Sequence, residues 1–307
     1  MPAFNSRSYA GNTDLQAMIE LVSRRPIQRI LDYPKILDLR QFLGSSNGQQ
    51  NAHLWWDADG QLAGFAIFID YVSKLHFEAA PGTTGAEVAA QAASWGEECA
   101  RQLVGETGEP VVLRASCHDD HVERIALLEQ LGFVRREHYT LHFARSLSDP
   151  IPGPQVPEGF GIRHVAGEHE VEALAALHRA AFGTENMTVE GRLSWMRTPD
   201  YDPELDLVAI APDGTLAAYV FCSISEEENA LTGRKDGYTD PVATHPVFQR
   251  RGLARALLLK GFRLPKQRGA ETARTSTASW NVAMQRAARS VGYRAESKTV
   301  FFQRLLG

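Results

Sequence analysis

A strand that ends at a proline, followed by a tight turn and a helix, constrains the fold of this chain more than any other segment. The segment runs from Val242 to Leu257, and its turn has the pattern Pro-x-x-Gln-x-x-Gly-x-Ala, starting at Pro246. A helix that begins inside such a turn points unpaired backbone N–H groups outward, and the positive end of the helix dipole lies behind them. This arrangement favours phosphate. The segment therefore predicts an anion site at a strand–turn–helix junction.

Small and basic residues surround this turn. Gly252 and Ala254 leave the backbone accessible to a bulky anion, and positive charge comes from Arg250, Arg251 and Arg255. The segment is neither a P-loop, which needs Gly-x-x-x-x-Gly-Lys-Ser/Thr, nor the dinucleotide-binding Gly-x-Gly-x-x-Gly. An arginine-rich helix start on a solvated surface is the alternative. The spacing of Pro, Gln, Gly and Ala favours the anion site.

This pattern resembles the pyrophosphate loop of the GCN5-related N-acetyltransferases. The resemblance implies that the diphosphate of acetyl-coenzyme A, as cosubstrate, contacts Gln249, Arg250, Arg251, Gly252, Leu253, Ala254 and Arg255. It also implies that the strand before the loop splays at a bulge and pairs through its backbone with the pantetheine arm, at Val242, Ala243 and Thr244. The family's last motif, an asparagine at a helix start that contacts the coenzyme arm, matches Asn281.

Two similar halves flank a proline-rich segment. Prolines at 150, 152, 154 and 157 disfavour helix and central strand, which predicts a linker at 148–158. The turn Asp59-Gly60 matches Asp213-Gly214, and Leu131-Gly132-Phe133 matches Val291-Gly292-Tyr293. Each half predicts the order strand, helix, hairpin, strand, helix, strand, helix, strand. That order suits a mixed sheet flanked by helices.

The predicted fold class is therefore α/β, with two tandem domains of this kind, and the order also resembles the acetyltransferase fold. We expect a degenerate domain at 1–147 without the pyrophosphate loop, and a catalytic domain that binds acetyl-coenzyme A at 159–307. Alignment of the two prolines that precede the turns places Thr84 on Gln249 and Glu87 on Gly252. A carboxylate there repels pyrophosphate, and no arginine occurs from residue 79 to residue 100.

The C-terminal half also has 11 extra residues between its third and fourth strands, where the polar segment 226–236 lies. In the family that the chain resembles, the neighbouring strands line the acceptor site. Three adjacent glutamates, Glu226, Glu227 and Glu228, could attract a cationic amine there. A solvated surface loop is equally compatible with such a charge run.

Asp240 and Tyr238 are the candidate catalytic residues. Alternation along the strand puts both on one face with Val242 and Thr244, unless a bulge intervenes. Asp240 lies where relatives often carry an acidic general base, and the alternative is a turn before a proline.

The general acid is unassigned in the sequence. Relatives often place a tyrosine seven residues after the asparagine of the last motif, where it protonates the leaving thiolate, and that position here is Ala288. Tyr238 is a substitute candidate. A thiolate with a pKa near about 8.5 leaves readily without full protonation.

Composition narrows the remaining function classes. Hydrophobic residues make up 44% and charged residues 22%, as in ordinary globular proteins, and the net charge of −5 argues against a nucleic acid partner. Cys99, Cys117 and Cys222 lack the spacing of a zinc site and fit a reducing compartment. No apolar run approaches the roughly 18 residues of a membrane span. We expect a cytoplasmic protein with no metal and no membrane partner.

The resemblance implies transfer of an acetyl group from acetyl-coenzyme A to the amine of a small-molecule acceptor by direct attack. A non-catalytic acyl-coenzyme A sensor is the alternative from another class, and a carboxylate in an open acceptor cleft would count against it. A third possibility is a two-domain synthase that acetylates the amine of a thiol precursor, to which nothing in the sequence points specifically.

Overall fold

The structure, a computed structural model, describes residues 4–25, 34–197 and 201–307, and it divides into two compact units. Unit 1 comprises Met1–Thr140 and Ser297–Gly307, and unit 2 comprises Leu141–Glu296. These bounds differ from the predicted domains because the strands that end the two sequence halves cross the unit boundaries. The predicted boundary between the two sequence repeats, a linker at residues 148–158, stays a proposal.

Unit 1 is a six-stranded sheet with helices on both faces. Its strands are β1 (Asn5–Ser8), β2 (Ala52–Trp56), β3 (Leu62–Ile69), β4 (Lys74–Ala79), β5 (Val111–His118) and most of β12 (Arg294–Leu306). Its helices are α1 (Asn12–Ser23), α2 (Ile36–Leu43), α3 (Ser46–Gln50), α4 (Thr83–Thr107) and α5 (Val122–Gln130). The strand order is β1-β2-β3-β4-β5-β12, and β4 and β5 are the parallel pair.

Strand β3 shows why both faces of this sheet are covered. Seven of its eight residues are buried, with no polar side chain among them. Phe65 and Ile67 pack with α1 and α2, while Ala66 and Phe68 pack with α4 on the other face. A continuous apolar run of this kind is typical of a strand that lies between two layers of helices.

Unit 2 has the same plan. Its strands are β6 (Val134–Ser146, of which 141–146 belong here), β7 (Gly161–His164), β8 (Asp206–Ile210), β9 (Leu216–Ser223), β10 (Asp236–Thr244) and β11 (Thr272–Ala278). Its helices are α6 (Val171–Phe182), α7 (Val189–Met196), α8 (Glu226–Thr232), α9 (Leu253–Gly261), α10 (Arg263–Gln267) and α11 (Val282–Ser290). The order is β6-β11-β10-β9-β8-β7, with β10 and β11 parallel.

The two faces of this second sheet carry different helices. Leu174 and Leu177 of α6 pack against Tyr219 and Ala243 on one face. Helix α9 covers the other face so closely that a Cβ added at Gly261 would lie 3.0 Å from the sulfur of Cys222. Residues 218, 220 and 222 of β9 therefore face α9, and residues 219 and 221 face α6 and α7.

The predicted α/β class and the order of strands and long helices are confirmed. Both Asp-Gly turns join antiparallel strands, with positive φ at Gly60 and Gly214, and residues 148–158 contain no helix or strand. The polar segment 226–236 is not simply a loop, since it contains α8. None of the helices in the described part of the chain has the length and apolarity needed to cross a membrane.

Candidate active site

Strand β10 contains a bulge at its centre. Its register against β9 pairs Thr239 with Cys222 but Val242 with Val220, so that Asp240 and Pro241 together oppose one residue. The bulge changes which residues share a face. Tyr238, which pairs with Ser223, lies on the α6 and α7 face, whereas Val242 lies with Cys222 and Val220 on the α9 face. The bulge named as the exception in the sequence analysis is thus present, and Tyr238 does not share a face with Val242 and Thr244, because two residues occupy the space of one.

The bulge coincides with an opening between two parallel strands. Pairing of β10 with β11 ends at Tyr238 and Arg274, although β10 continues to Thr244 and β11 to Ala278. One edge of the segment from Val242 to Thr244 is paired with β9, and its other edge faces this opening. An extended ligand could pair with this backbone edge, as the resemblance implied for the pantetheine arm.

The turn after β10 has the geometry of an anion site. Arg250 and Gly252 both have positive φ, 62° and 87°, which folds successive backbone amides toward one side. The first backbone bond of α9 runs from the N–H of Ala256 to the carbonyl of Gly252. The N–H groups of residues 253–255 therefore have no acceptor within the helix. A Cβ added at Gly252 would meet nothing within 4 Å, so space for a bulky group is present.

Side chains of the turn add positive charge and hold its shape. Gln249 donates from Nε2 to the carbonyl of Thr244, 3.3 Å away, which ties the turn to the end of β10. The guanidinium of Arg251 lies 5.7 Å from the ring centroid of Phe248. Within the described part of the chain, no carboxylate forms an ion pair with Arg250, Arg251 or Arg255, so their charges are available to an anion.

Asp240 lies in the bulge and is half-buried. Its charge acts on two buried neighbours on the α9 side, Tyr293 and Cys222. Burial raises the pKa of both groups, and the nearby carboxylate adds to the shift. The predicted base is thus at the point where β10 leaves β11.

Tyr238 forms a hydrogen bond with α8, the helix inserted between β9 and β10. Its hydroxyl donates to Oε1 of Glu228 in α8, at 2.9 Å. Burial and the carboxylates of Glu228 and Asp236 raise the pKa of Tyr238 far above its usual value. A phenol that already donates to a carboxylate and holds its proton this firmly is a poor acid toward a thiolate. These contacts weigh against Tyr238 as the substitute general acid.

Asn281 caps α11, since its side-chain oxygen accepts from the N–H of Met284 at 3.0 Å. Ala288, at the position of the usual tyrosine, is fully buried. Another tyrosine reaches the bulge: the hydroxyl of Tyr293 lies 2.7 Å from Oγ1 of Thr239. Sequence reasoning used Tyr293 only as a repeat marker and missed this contact. The sequence did offer a signal, because Tyr293 follows the end of the same helix, five residues after Ala288.

The equivalent region of unit 1 is built differently. Strand β4 has no bulge, and its parallel pairing with β5 is limited to Lys74 and Arg114. Charged side chains fill the place where the two strands separate. Arg124 of α5 lies over the ring of Phe77 at 4.5 Å and donates to Oε1 of Glu78 at 3.1 Å. These two residues face opposite sides of the sheet, so the guanidinium crosses the gap between the strands.

The turn of unit 1 is also shorter. The first backbone bond of α4 runs from Ala86 to Gly82, as the bond from Ala256 to Gly252 does in α9. Gly82, and not Glu87, is thus the counterpart of Gly252, and the predicted match of Glu87 is wrong. Two residues separate β4 from Gly82, whereas seven separate β10 from Gly252. The side chain of Thr84 lies outside the described residues.

Comparisons with known proteins agree with this geometry. The profile of the family described as "Acetyltransferase (GNAT) family" matches residues 171–293. Two curated relatives are mycothiol acetyltransferases. The one from Saccharomonospora viridis is 27% identical over 52% of this chain and 54% of its own length, little more than half of that relative. The one from Salinispora arenicola is 28% identical over 80% of this chain and 79% of its own length.

Solved structures share the whole fold. A GCN5-related N-acetyltransferase from Sphaerobacter thermophilus superposes with a TM-score of 0.78 at 22% identity, over 98% of this chain and 95% of its own. A tandem GNAT protein from the clavulanic acid biosynthesis pathway has a TM-score of 0.72 at 16% identity, over 99% of both chains. The profile identifies residues 171–293 as a domain of the acetyltransferase (GNAT) family. The solved structures show that the whole chain has the fold of GCN5-related N-acetyltransferases, including a tandem one.

Proposed function

We propose that unit 2 binds acetyl-coenzyme A and transfers its acetyl group to the amine of an acceptor by direct attack. One observation carries the proposal: a single continuous segment, from Asp240 to Gly252, joins a strand bulge, an open strand edge and an anion-binding turn. A ligand with a reactive end, an extended arm and a diphosphate matches these three features in this order.

The residues present fit such a donor. The turn amides and the arginines at 250, 251 and 255 would hold the diphosphate, while the backbone edge of Val242, Ala243 and Thr244 would pair with the arm. Asn281 would contact the same arm from the start of α11. The thioester would then lie near the bulge, where a backbone N–H could stabilise the developing oxyanion.

Acyl transfer then needs only placement and one proton acceptor. The amine nitrogen forms the new bond to the acyl carbon, the carbon–sulfur bond breaks, and the thiolate leaves, while the second proton of the nitrogen passes to the thiolate or to solvent. Asp240 would take the proton of the ammonium, directly or through a water. An exposed carboxylate, with a pKa of about 3.9, is a weak base for an ammonium, so the half-buried setting of Asp240 matters to this role. The thiolate, with a pKa of about 8.5, needs no dedicated acid.

The relatives suggest a particular acceptor class. Seven curated matches carry the name mycothiol acetyltransferase. The acceptor of those enzymes is therefore a second candidate beside an unspecified small-molecule amine. Identities of 26–30% support this choice only as a candidate to be assayed. The cytoplasmic location expected from three free cysteines stays a prediction.

An acetylation assay tests the proposal. The full chain is incubated with acetyl-coenzyme A and a panel of amines that includes the acceptor of the mycothiol enzymes, and both free thiol and acetylated product are measured. We expect thiol release that depends on an amine, with an equal amount of product. Tight coenzyme A binding without product from any amine would instead identify an acyl-coenzyme A sensor.

A further inference from the structure

The helix inserted between β9 and β10 carries a carboxylate that differs from every other buried one. Glu228 of α8 is 7% exposed, and its carboxylate accepts a hydrogen bond from Tyr238. No lysine or arginine of the described residues forms an ion pair with it. The other buried carboxylates, which all have an arginine partner, are Asp14, Glu78, Asp206 and Asp236. Glu228 alone in this set has no ion-pair partner among the described residues.

That absence is energetically significant. A buried charge is tolerated when it is paired or well hydrogen-bonded, and a carboxylate with a single neutral donor is only partly compensated. Asp236, eight residues further along the chain, shows the usual solution, since both Arg234 and Arg274 contact it. The chain thus provides arginines for a neighbouring carboxylate and none for Glu228. A ligand cation would supply the missing charge.

The position of the carboxylate fits an acceptor amine. Tyr238 lies two residues before Asp240, at the last pair before β10 leaves β11. It lies on the α6 and α7 face, where Phe221 contacts Trp195 at a ring distance of 4.4 Å. Glu228 and Tyr238 therefore flank the bulge on one side of the sheet, while coenzyme contacts such as Val242 face the other.

We propose that Glu228 and Tyr238 form the binding site for the ammonium group of a cationic acceptor. This inference rests on the proposed function of unit 2 and names its substrate class, a protonated amine. The carboxylate neutralises the ammonium, and the phenol oxygen, whose hydrogen points to Glu228, accepts a hydrogen bond from it. Tyr238 is then a substrate contact, and the inserted helix determines acceptor specificity.

A purely structural role is the competing explanation, in which Glu228 only attaches α8 to β10. Glu228→Gln separates the two. The amide oxygen still accepts from Tyr238, so the attachment persists, but the charge is lost. Glu226→Gln is the matched control, because it removes an exposed charge from the same helix.

The experiment measures binding with paired probes in the presence of saturating coenzyme A. Calorimetry compares glucosamine with glucose and benzylamine with benzyl alcohol. The wild type and Glu226→Gln should bind at least one amine at least tenfold more tightly than its hydroxyl analogue. Glu228→Gln should lose that preference at least tenfold, and its coenzyme A affinity should not change.

Two outcomes overturn the inference: a wild type that shows no preference for amines, or a Glu228→Gln variant that keeps the full preference. The proposed function fails separately. If the wild type binds amines selectively but never acetylates them, the ammonium site is supported and the proposed transferase activity is contradicted. If Glu228→Gln acetylates an amine with an unchanged KM, the transferase activity is supported and the ammonium site is contradicted.

Discussion

At the scale of single residues, the backbone of the turn is the feature most directly connected with function. Arg250 holds a φ of 62°, a region that non-glycine residues rarely adopt. Such a conformation costs on the order of 1–3 kcal/mol and persists where the surroundings impose it, often at ligand sites. With Gly252 two residues later, it directs the amides of the turn toward a common point. The same backbone conformation therefore produces both the strain and the anion site.

Gly252→Asp should weaken coenzyme A binding at least tenfold, about 1.4 kcal/mol. The substitution adds a carboxylate where the diphosphate is expected, and like charges repel. Calorimetry measures the affinity. Gly269→Asp is the control, because Gly269 has nearly the same φ, 88°, and equally open surroundings, but lies in another turn. If the two folded variants bound coenzyme A with equal affinity, the proposed position of the diphosphate at this turn would be wrong.

Asp240→Asn should lower turnover by about 10²–10⁴-fold, the usual worth of a general base. The amide keeps the shape of the carboxylate but cannot accept the proton. Coenzyme A affinity should hardly change, since Asp240 precedes the edge that faces the arm. The deficit should shrink as pH rises, because more of the amine is then neutral already. A pH–rate profile checks both points. Normal turnover at neutral pH in a variant with an unchanged melting curve would return Asp240 to a structural role.

At the scale of elements, the gap between parallel strands distinguishes the two units. In unit 2 the backbone pairing of β10 and β11 ends at Tyr238 and Arg274, and in unit 1 a cluster of Arg25, Glu78 and Arg124 occupies the equivalent place. One carboxylate there is shared by two guanidiniums. Removing its charge takes away the anion that the two guanidiniums share, which is more costly than the loss of a surface pair.

Glu78→Gln should therefore lower the free energy of unfolding by roughly 3–5 kcal/mol. Burial opposes ionisation of Glu78, but the two arginines outweigh it, so that its pKa is lowered below 4.5 in the folded state. Its contribution is present above the unfolded pKa and is lost as pH falls through the folded one. Urea unfolding at neutral pH and at pH 3 measures both effects, and the difference from wild type should narrow at low pH.

The control for this prediction is Glu87→Gln, which removes an exposed charge from α4. Its effect should stay within about 0.5 kcal/mol. If the two variants were equally stable at neutral pH, Glu78 would not compensate the arginines.

The sequence predicts these elements unevenly, for physical reasons. The turn after Pro246 was predictable because glycine and small residues at fixed spacing determine its backbone. The sequence placed Asn281 at a helix start, and helix α11 begins at Val282 because Asn281 caps it. The bulge was not located by alternation, because one additional residue in a strand leaves little trace in composition. The partners of Glu228 and Tyr293 depend on tertiary contacts, which no local pattern contains.

At the scale of the whole molecule, two similar folds differ at the place where a coenzyme would bind. The turn of unit 1 is five residues shorter than that of unit 2, and its strand gap contains Arg124. Both differences remove contacts that a coenzyme would need. Glu87 is not the counterpart of Gly252, so the shorter turn, and not a carboxylate at Glu87, is the reason to expect no coenzyme in unit 1.

The most direct test of this account is the stoichiometry of coenzyme A binding to the intact chain. Isothermal titration should give one site per chain, and Gly252→Asp should weaken that same site at least tenfold. Two equivalent sites per chain would contradict the account, as would a single site that Gly252→Asp leaves unchanged.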